Sequence, residues 1–425
     1  LGDVYKRQGW TGDIAVFRRT GALNRSIAPI LTRWLGDVRA DQLDDGRVPC
    51  VVPVSSSYNA FFMRPTHGGA AWADACVDVP WTLYLHYGDH RVLEENYATM
   101  CRWVDALEHR SQSDPWWAKA DPRTHIGSGR HREHIIDSGF QWAEWLAPGE
   151  TLTRNWLRGL LKPDPLIATA YYARTLQKVA QIASLLNHPD DAQQLIERRE
   201  LVVAAIRKHL FAADGLPHRR DQIGLVACLA FGLIDEPHRA AAGEALAGVV
   251  RANDAKLATG FTMTPLLCPT LVDAGHTELA YDVLLSADIP SWLYPISKGA
   301  TTVWETWDAI KPNGSVSDVS QNHYAFGAIG EFLHRYVAGL DTAPERPGYE
   351  HVLIEPRPDP AGRLTRASAN LETARGAVSS SWTISDGQLT VDATIPVGAT
   401  ATITVGSAST HVGAGTHHVS GPFHG

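Results

Sequence analysis

The chain has 425 residues, enough for two or three domains and a large core. Hydrophobic residues make up 44% and charged residues 20%, an ordinary soluble profile. The net charge is −8 and no long basic run occurs, so nucleic acid is not expected as a partner.

In chain order, Leu1–Gln8 is followed abruptly by Gly9-Trp10-Thr11-Gly12-Asp13. Asp13 to Val38 reads as one helix, with Ile14, Phe17, Leu23, Ile27, Ile30, Leu31 and Leu35 at three- and four-residue spacing. Val48–Val54 reads as extended and Ser55–Gly69 as a loop. A second helix opens at Ala71-Trp72-Ala73-Asp74-Ala75 and runs to Tyr87, and a third spans Arg91–His109. Residues 111–135 are polar and irregular, with Trp116, Trp117, His125, His131 and His134. The histidine spacing lacks an accompanying cysteine, so no metal is expected. From Asp164 to about Glu331 the apolar periods cover 165–187, 189–211, 221–233, 237–252 and 261–286, separated by short Pro- or Gly-marked turns. Helices paired through short turns predict an α/α barrel, although pattern alone also allows an α-solenoid. No fixed repeat length favours the solenoid.

After Gly339 the composition switches. Five prolines fall between Pro344 and Pro360, and short alternating runs follow, such as Gln388–Ile395 and Ala401–Val405. These predict a small antiparallel β-sandwich over 345–420. The five cysteines are odd in number and scattered, which argues against a disulfide framework or a zinc site. No stretch of about 18 apolar residues occurs, so no membrane span is expected. The compartment stays open, with the cytoplasm slightly favoured over secretion, and so does the oligomeric state.

The chemistry centres on Gly299-Ala300-Thr301-Thr302-Val303-Trp304-Glu305-Thr306-Trp307-Asp308. Two carboxylates and two indoles fall within five residues. Glu305 between aromatic rings is partly desolvated, and aromatic faces are what proteins use to hold sugar C–H faces. Upstream is Pro290-Ser291-Trp292-Leu293-Tyr294, and downstream Asn322-His323-Tyr324-Ala325-Phe326-Gly327. Together these resemble the catalytic-domain signature of the bacterial α-L-rhamnosidases of glycoside hydrolase family 78. The resemblance runs from residue 9 to about 410. It implies a mainly α chain: an (α/α)6 barrel over 9–340, followed by a C-terminal β-sandwich domain over 345–425.

The resemblance also implies roles. Glu305 falls on the family's general base and His323 on a residue that contacts the sugar. Trp10 and Asp13 match the family's G-W-x-G-D, with Asp13 orienting the sugar or the water. In the longer family motif a Glu three residues before that Gly is the general acid. Here Lys6 stands there, and Leu1 stands where an Asp is usual, so residues 1–8 are read as a foreign segment and the acid as missing. Trp72 and Asp74 in W-x-D-A, and Glu144 and Trp145 in A-E-W-L, become pocket candidates, with Trp142 possible. Trp10, Trp72, Trp145 and Trp292, with Trp304 or Trp307, would wall the pocket around the methyl of a deoxysugar.

The implied activity is inverting hydrolysis of terminal α-L-rhamnosides, small glycosides or oligosaccharides, without a cofactor or metal. Alternatives are another α/α-toroid glycosidase (trehalase-like or a glucuronyl hydrolase), a catalytically dead sugar-binding module, and an interaction scaffold.

Overall fold

The computed structural model describes residues 8–55, 63–112, 132–161 and 163–423. Leu1, Lys6, Trp116, Trp117, His125 and His131 lie outside the described residues.

The helices are α1 (Thr11–Asn24), α2 (Ala28–Asp41), α3 (Ala75–Tyr87), α4 (Arg91–Gln112), α5 (Leu152–Leu161), α6 (Pro165–Leu185), α7 (Pro189–Leu210), α8 (Gln222–Ala230), α9 (Glu236–Ala252), α10 (Thr264–Asp273), α11 (Thr277–Leu285) and α12 (Leu293–Ser297). A last helical stretch, α13, covers 325–337, beginning as a 3-10 turn and ending in a π turn. Local chemistry fixes several starts. Asp164 accepts from the N–H groups of Leu166 and Ile167 with Pro165 at the first position of α6, and Asp221 accepts from Gly224 N to start α8.

Six helices form a closed inner ring in the order α1, α3, α6, α8, α10, α13, each packed on the next. α3 and α8 are buried on nearly every side, as an inner position demands. Outside them lie α2 and α4 against α3, α7 against α6, α9 against α8, and α11 against α10. These outer helices bury one stripe each and turn a charged face to solvent. This is the toroid expected from the helix pairing.

Several boundaries differ from the sequence reading. The single helix expected over Asp13–Val38 is two. Arg25 adopts an extended backbone (φ −151°), the chain reverses, and Pro29 sits in the first turn of α2. The apolar period continues across the break because both helices bury apolar faces, so periodicity could not see the turn. The period over 261–286 likewise splits into α10 and α11. Gly275 takes φ +87°, and His276 N reaches back to Leu271 O at 2.8 Å. The helix opening at Ala71 begins instead at Ala75. α5 was not anticipated at all.

Past α13 the chain enters strands β1 (Leu340–Thr342), β2 (His351–Ile354), β3 (Arg366–Thr373), β4 (Gly376–Ser385), β5 (Gln388–Ile395), β6 (Thr400–Val405), β7 (Ala408–Val412) and β8 (Gly415–Pro422). They form two sheets, ordered β1-β2-β6-β7 and β3-β4-β5-β8. One pairing departs from the antiparallel expectation: β2 runs parallel to β6, with His351 opposite Thr400 and Ile354 opposite Ile403. The long connection through β3–β5 brings the chain back in the same direction. Val352, Ile354, Ala401 and Ile403 of one sheet share a core with Val378, Trp382, Val391 and Ala393 of the other. Trp382 Nε1 donates to Val337 O at 2.7 Å and Ser380 Oγ to Ala338 O at 2.9 Å, fixing the sandwich to the end of the inner ring. Among the described residues, no helix is long and apolar enough to cross a membrane.

Candidate active site

The start of α1 is held by a short set of contacts. Thr11 Oγ1 donates to Cys50 O at 3.1 Å, and Trp10 bridges to Val51. Gly12 is required by close approach: a Cβ there would lie 2.2 Å from the Trp72 ring. Trp72 packs flat against the helix start, and this contact gives the G-W-T-G-D motif its physical sense. Asp13, in the first turn, is 5% exposed and sits where the helix dipole favours an anion.

Beside Asp13 lies a cavity of about 410 Å³ walled by indoles. Trp142 is its hub. It stacks on Trp72 (5.5 Å, 23°) and meets Trp10 (5.6 Å) and Trp145 (5.0 Å) edge-on. Its own Nε1 donates to Thr66 O at 3.1 Å. Trp156 and Phe261 complete the aromatic wall, with Met63, Leu152 and Thr153.

His323 Nε2 lies 2.8 Å from Asp13 Oδ1. Its Nδ1 accepts from Ala325 N at 3.3 Å, and its ring packs 5.0 Å from Phe261 of the cavity wall. His323 and Glu305 belong to two facing segments. His323 N donates to Val303 O (2.8 Å), Glu305 N to Ser320 O (2.9 Å), and Ser320 N returns to Glu305 Oε2 (2.9 Å). Residues 310 positions apart are thereby joined: Asp13 touches His323, and His323 shares a loop pair with Glu305. The Glu305 side chain is fully buried, flanked in sequence by the buried Trp304 and Trp307.

The other expected site residues divide. Trp10, Trp72, Trp142 and Trp145 line the cavity. Asp74 does not. Its Oδ1 accepts from Trp103 Nε1 (3.0 Å) and Thr175 Oγ1 (2.6 Å), and its Oδ2 from Ala71 N (2.7 Å). It is fully buried behind Trp72 and shapes the left-handed turn at Ala71 (φ +68°) that presents the indole. Glu144 is also set back: it accepts from Thr262 Oγ1 and from Met263 N (3.2 Å), tying the 142–146 segment to the segment carrying Phe261. Trp292 lies outside this cavity, edge-on to Trp307 at 5.5 Å, its Nε1 donating to Phe326 O. Sequence reasoning missed Met63, Leu152, Thr153, Trp156 and Phe261. Only Trp156 carried a visible signal, as one more tryptophan in a tryptophan-rich chain. Among the described residues, no group of three or more His, Cys, Asp or Glu could hold a metal ion.

Burial pushes the Glu144 carboxyl up to about 7, its hydrogen bonds only partly offsetting this. Between its ordinary value of 4.5 and 7, the folded chain therefore holds a proton that the unfolded chain releases. Stability from this group falls as pH rises through that window. Glu144→Gln should flatten the decline in thermal stability between pH 5 and 7 and gain on the order of 1–3 kcal/mol at pH 8. Parallel curves for the two proteins would show that Glu144 does not titrate there.

Comparison with known proteins identifies the family. The family model described as the bacterial α-L-rhamnosidase six-hairpin glycosidase domain matches residues 3–337, and the bacterial α-L-rhamnosidase C-terminal domain matches 339–420. An α-L-rhamnosidase of Streptomyces avermitilis is 34% identical over 401 residues, covering 94% of this chain and 35% of the relative. One from Formosa agariphila is 33% identical over 411 residues, covering 94% of this chain and 40% of the relative. The solved Streptomyces avermitilis α-L-rhamnosidase complexed with L-rhamnose superposes with a TM-score of 0.83 at 32% identity, over 97% of this chain and 38% of that one. The native enzyme from Aspergillus terreus gives 0.84 at 31%, over 97% and 45%. The chain thus spans between 35% and 45% of the length of these relatives, and with the two family models matching nearly all of it, it belongs to the bacterial α-L-rhamnosidase family.

Proposed function

We propose that this chain forms the hydrolytic part of an enzyme that removes terminal α-L-rhamnose from glycosides or polysaccharides with inversion. The observation that carries the reading is the Asp13–His323 contact, joined through one loop pair to Glu305, beside an indole-walled cavity. An apolar wall suits the methyl group of a 6-deoxysugar, while a hydroxyl there would lose its hydrogen bonds. Glu305 acts as the base that activates water, Asp13 and His323 orient sugar hydroxyls or that water, and the indoles hold the ring. We assign residues 9–340 to the catalytic unit and 345–425 to the C-terminal β unit. Inversion needs a second carboxyl, protonated, on the leaving-group side and about 6.5–9.5 Å from the base. Lys6 stands in the motif position for that acid, and an ammonium cannot serve as a carboxylic acid does.

A panel of nitrophenyl glycosides tests the reading. The α-L-rhamnoside should be turned over in preference to the α-D-glucoside and β-D-glucuronide, with β-L-rhamnose as first product by NMR. Preference for either other sugar would assign the chain to a different toroid glycosidase, and rhamnose binding without turnover would make it a sugar-binding module. Lys6→Glu should raise the rate on an alkyl rhamnoside by on the order of tenfold or more, and change the nitrophenyl rate far less, because a good leaving group needs little protonation. Equal gains on both substrates would place the acid elsewhere.

A further inference from the structure

A second concavity adjoins the indole-walled cavity. It holds about 430 Å³, and the two share Leu152 and Thr153 at the start of α5. Trp145 lines the first, and Leu146, the next residue, lines the second. The walls of this groove are of a different kind. One is the turn over 147–151, where Glu150 N donates to Ala147 O at 3.0 Å and the Glu150 carboxylate is paired with Arg158. Another is the stretch that follows Glu305, through Thr306, Trp307, Asp308, Lys311, Ser317 and Asp318. That stretch folds as a tight hairpin. Lys311 N donates to Ser315 O and Ser317 N to Ala309 O, both at 2.8 Å, around an Asn313-Gly314 turn with Gly314 at φ +82°. The wall is therefore shaped before any ligand arrives.

The polar groups of this wall are short of partners. The side chains of Asp308, Lys311 and Asp318 make no hydrogen bond or ion pair with any described residue. Trp307 is 5% exposed, and its Nε1, like the buried Thr306 Oγ1, has no hydrogen-bond partner among the described residues. A buried donor left unmade is costly, so such groups mark a place for a polar ligand. The concavity on the other side of the same loop is walled by groups such as Leu284, Ile296 and Leu333 and offers them aliphatic carbon. Charge then sorts the ligand. Arg158 neutralises Glu150, which leaves two carboxylates and one ammonium at Asp308, Asp318 and Lys311. Carboxylates accept from the hydroxyls of a sugar, while an ammonium and an indole N–H donate to its oxygens. An anionic ligand would meet the excess negative charge.

We propose that this groove binds a neutral sugar joined to the rhamnose that the indole cavity holds, so that the chain prefers rhamnose attached to a neutral sugar over rhamnose attached to a uronate. The shared rim at Leu152 and Thr153 lets one ligand reach both spaces. Asp308 and Asp318 set the preference for hydroxyls over a carboxylate, and Thr306 and Trp307 add hydrogen bonds that they lack without a ligand. The inference rests on the rhamnoside reading of the indole cavity and narrows its substrate class.

The test uses the full chain and ligands that it cannot cleave, so turnover does not enter. Three are titrated by calorimetry: methyl α-L-rhamnoside, a sulfur-linked α-L-rhamnosyl-glucose, and the same disaccharide with glucuronate in place of glucose. The glucose disaccharide should bind at least about tenfold tighter than the methyl rhamnoside, and at least about tenfold tighter than the glucuronate disaccharide. Asp308→Asn combined with Asp318→Asn should bring that neutral-over-uronate ratio to about threefold or less. Neither side chain bonds the rest of the fold, so the variant should melt near the parent temperature. If it does not, salt decides the matter on the parent chain: raising NaCl from about 20 mM to about 500 mM should shrink the same ratio severalfold by screening. No binding of methyl α-L-rhamnoside would defeat the rhamnoside reading and this inference with it. Binding of methyl α-L-rhamnoside with no gain from the attached glucose would overturn this inference alone. So would tighter binding of the glucuronate disaccharide, which would make Lys311 the determinant, or a ratio indifferent to both the substitutions and salt.

Discussion

Glu305→Gln should lower turnover of an activated aryl α-L-rhamnoside by about 10²–10⁴-fold, with KM changed far less. Glutamine keeps the shape and can still accept from Ser320 N, the contact that Glu305 Oε2 makes at 2.9 Å. It cannot take a proton from water. The loop pair, with its backbone bonds between 303 and 323 and between 305 and 320, should persist, so the loss falls on chemistry rather than folding. An aryl leaving group is chosen because it makes the assay insensitive to the acid side, where Lys6 stands. Rescue by azide in the variant, giving a β-glycosyl azide, would identify the lost group as the base that activates water. Near-normal turnover at an unchanged melting temperature would remove Glu305 from the mechanism.

The residues legible in the sequence were those whose motif and geometry coincide. Gly12, Trp72 and Asp13 form one contact set at the start of α1, and the motif that contains them is short because the contacts are short-range. Glu305 and His323 sit in segments hydrogen-bonded to each other, but neither lines the indole-walled cavity and Glu305 is as deeply buried as Asp74. Asp74 and Glu144 carry equally strong motifs, yet the structure turns both inward. Asp74 holds up Trp72, and Glu144 clamps the Trp145 segment to the Phe261 segment. A motif records that a residue matters at that place; it does not distinguish a group that touches ligand from one that positions its neighbour. Phe261 and Leu152 were invisible because a cavity wall built from distant segments leaves no local pattern. The helix breaks at Arg25 and Gly275 were hidden differently. The hydrophobic period of an inner helix runs on into its outer partner, and only backbone geometry marks the reversal. In the sandwich, alternation identified the strands well but carried no information on direction, so the parallel β2–β6 pairing could not be read from it.

The largest effect on stability should come from a residue outside the site. Asp78, on inner helix α3, is 2% exposed and surrounded by three cations. Arg174 grips it with two nitrogens (2.9 and 3.0 Å), Lys178 Nζ bonds Oδ1, and Arg18 Nη2 lies 3.6 Å away. These residues belong to α1, α3 and α6, so one carboxylate ties three inner helices together. Burial alone would raise the Asp78 carboxyl; Arg174, Arg18 and Lys178 overcome it and hold the group well below the usual carboxylate range. The folded value lies under the ordinary 3.8, so its contribution is complete above about pH 4 and is lost only as acid takes the pH below that. Lys178 behaves in the opposite sense. Burial and the neighbouring Arg174 push its ammonium down to about 7 from 10.5, so the folded chain holds fewer protons than the unfolded chain between those values, and charging it at neutral pH is a cost. Two contrasting outcomes follow. Asp78→Ala leaves three buried cations without their anion and should cost about 3–5 kcal/mol in chemical denaturation at pH 7. Lys178→Met removes a cation from a crowded site and should be close to neutral, since an apolar side chain of similar length replaces a group whose charge is already disfavoured. Adding Lys178→Met to Asp78→Ala should recover part of the loss, because the repulsion among the remaining cations falls. Asp78→Ala costing no more than a surface substitution, or Lys178→Met costing as much as Asp78→Ala, would show that the cluster does not hold the ring in this way.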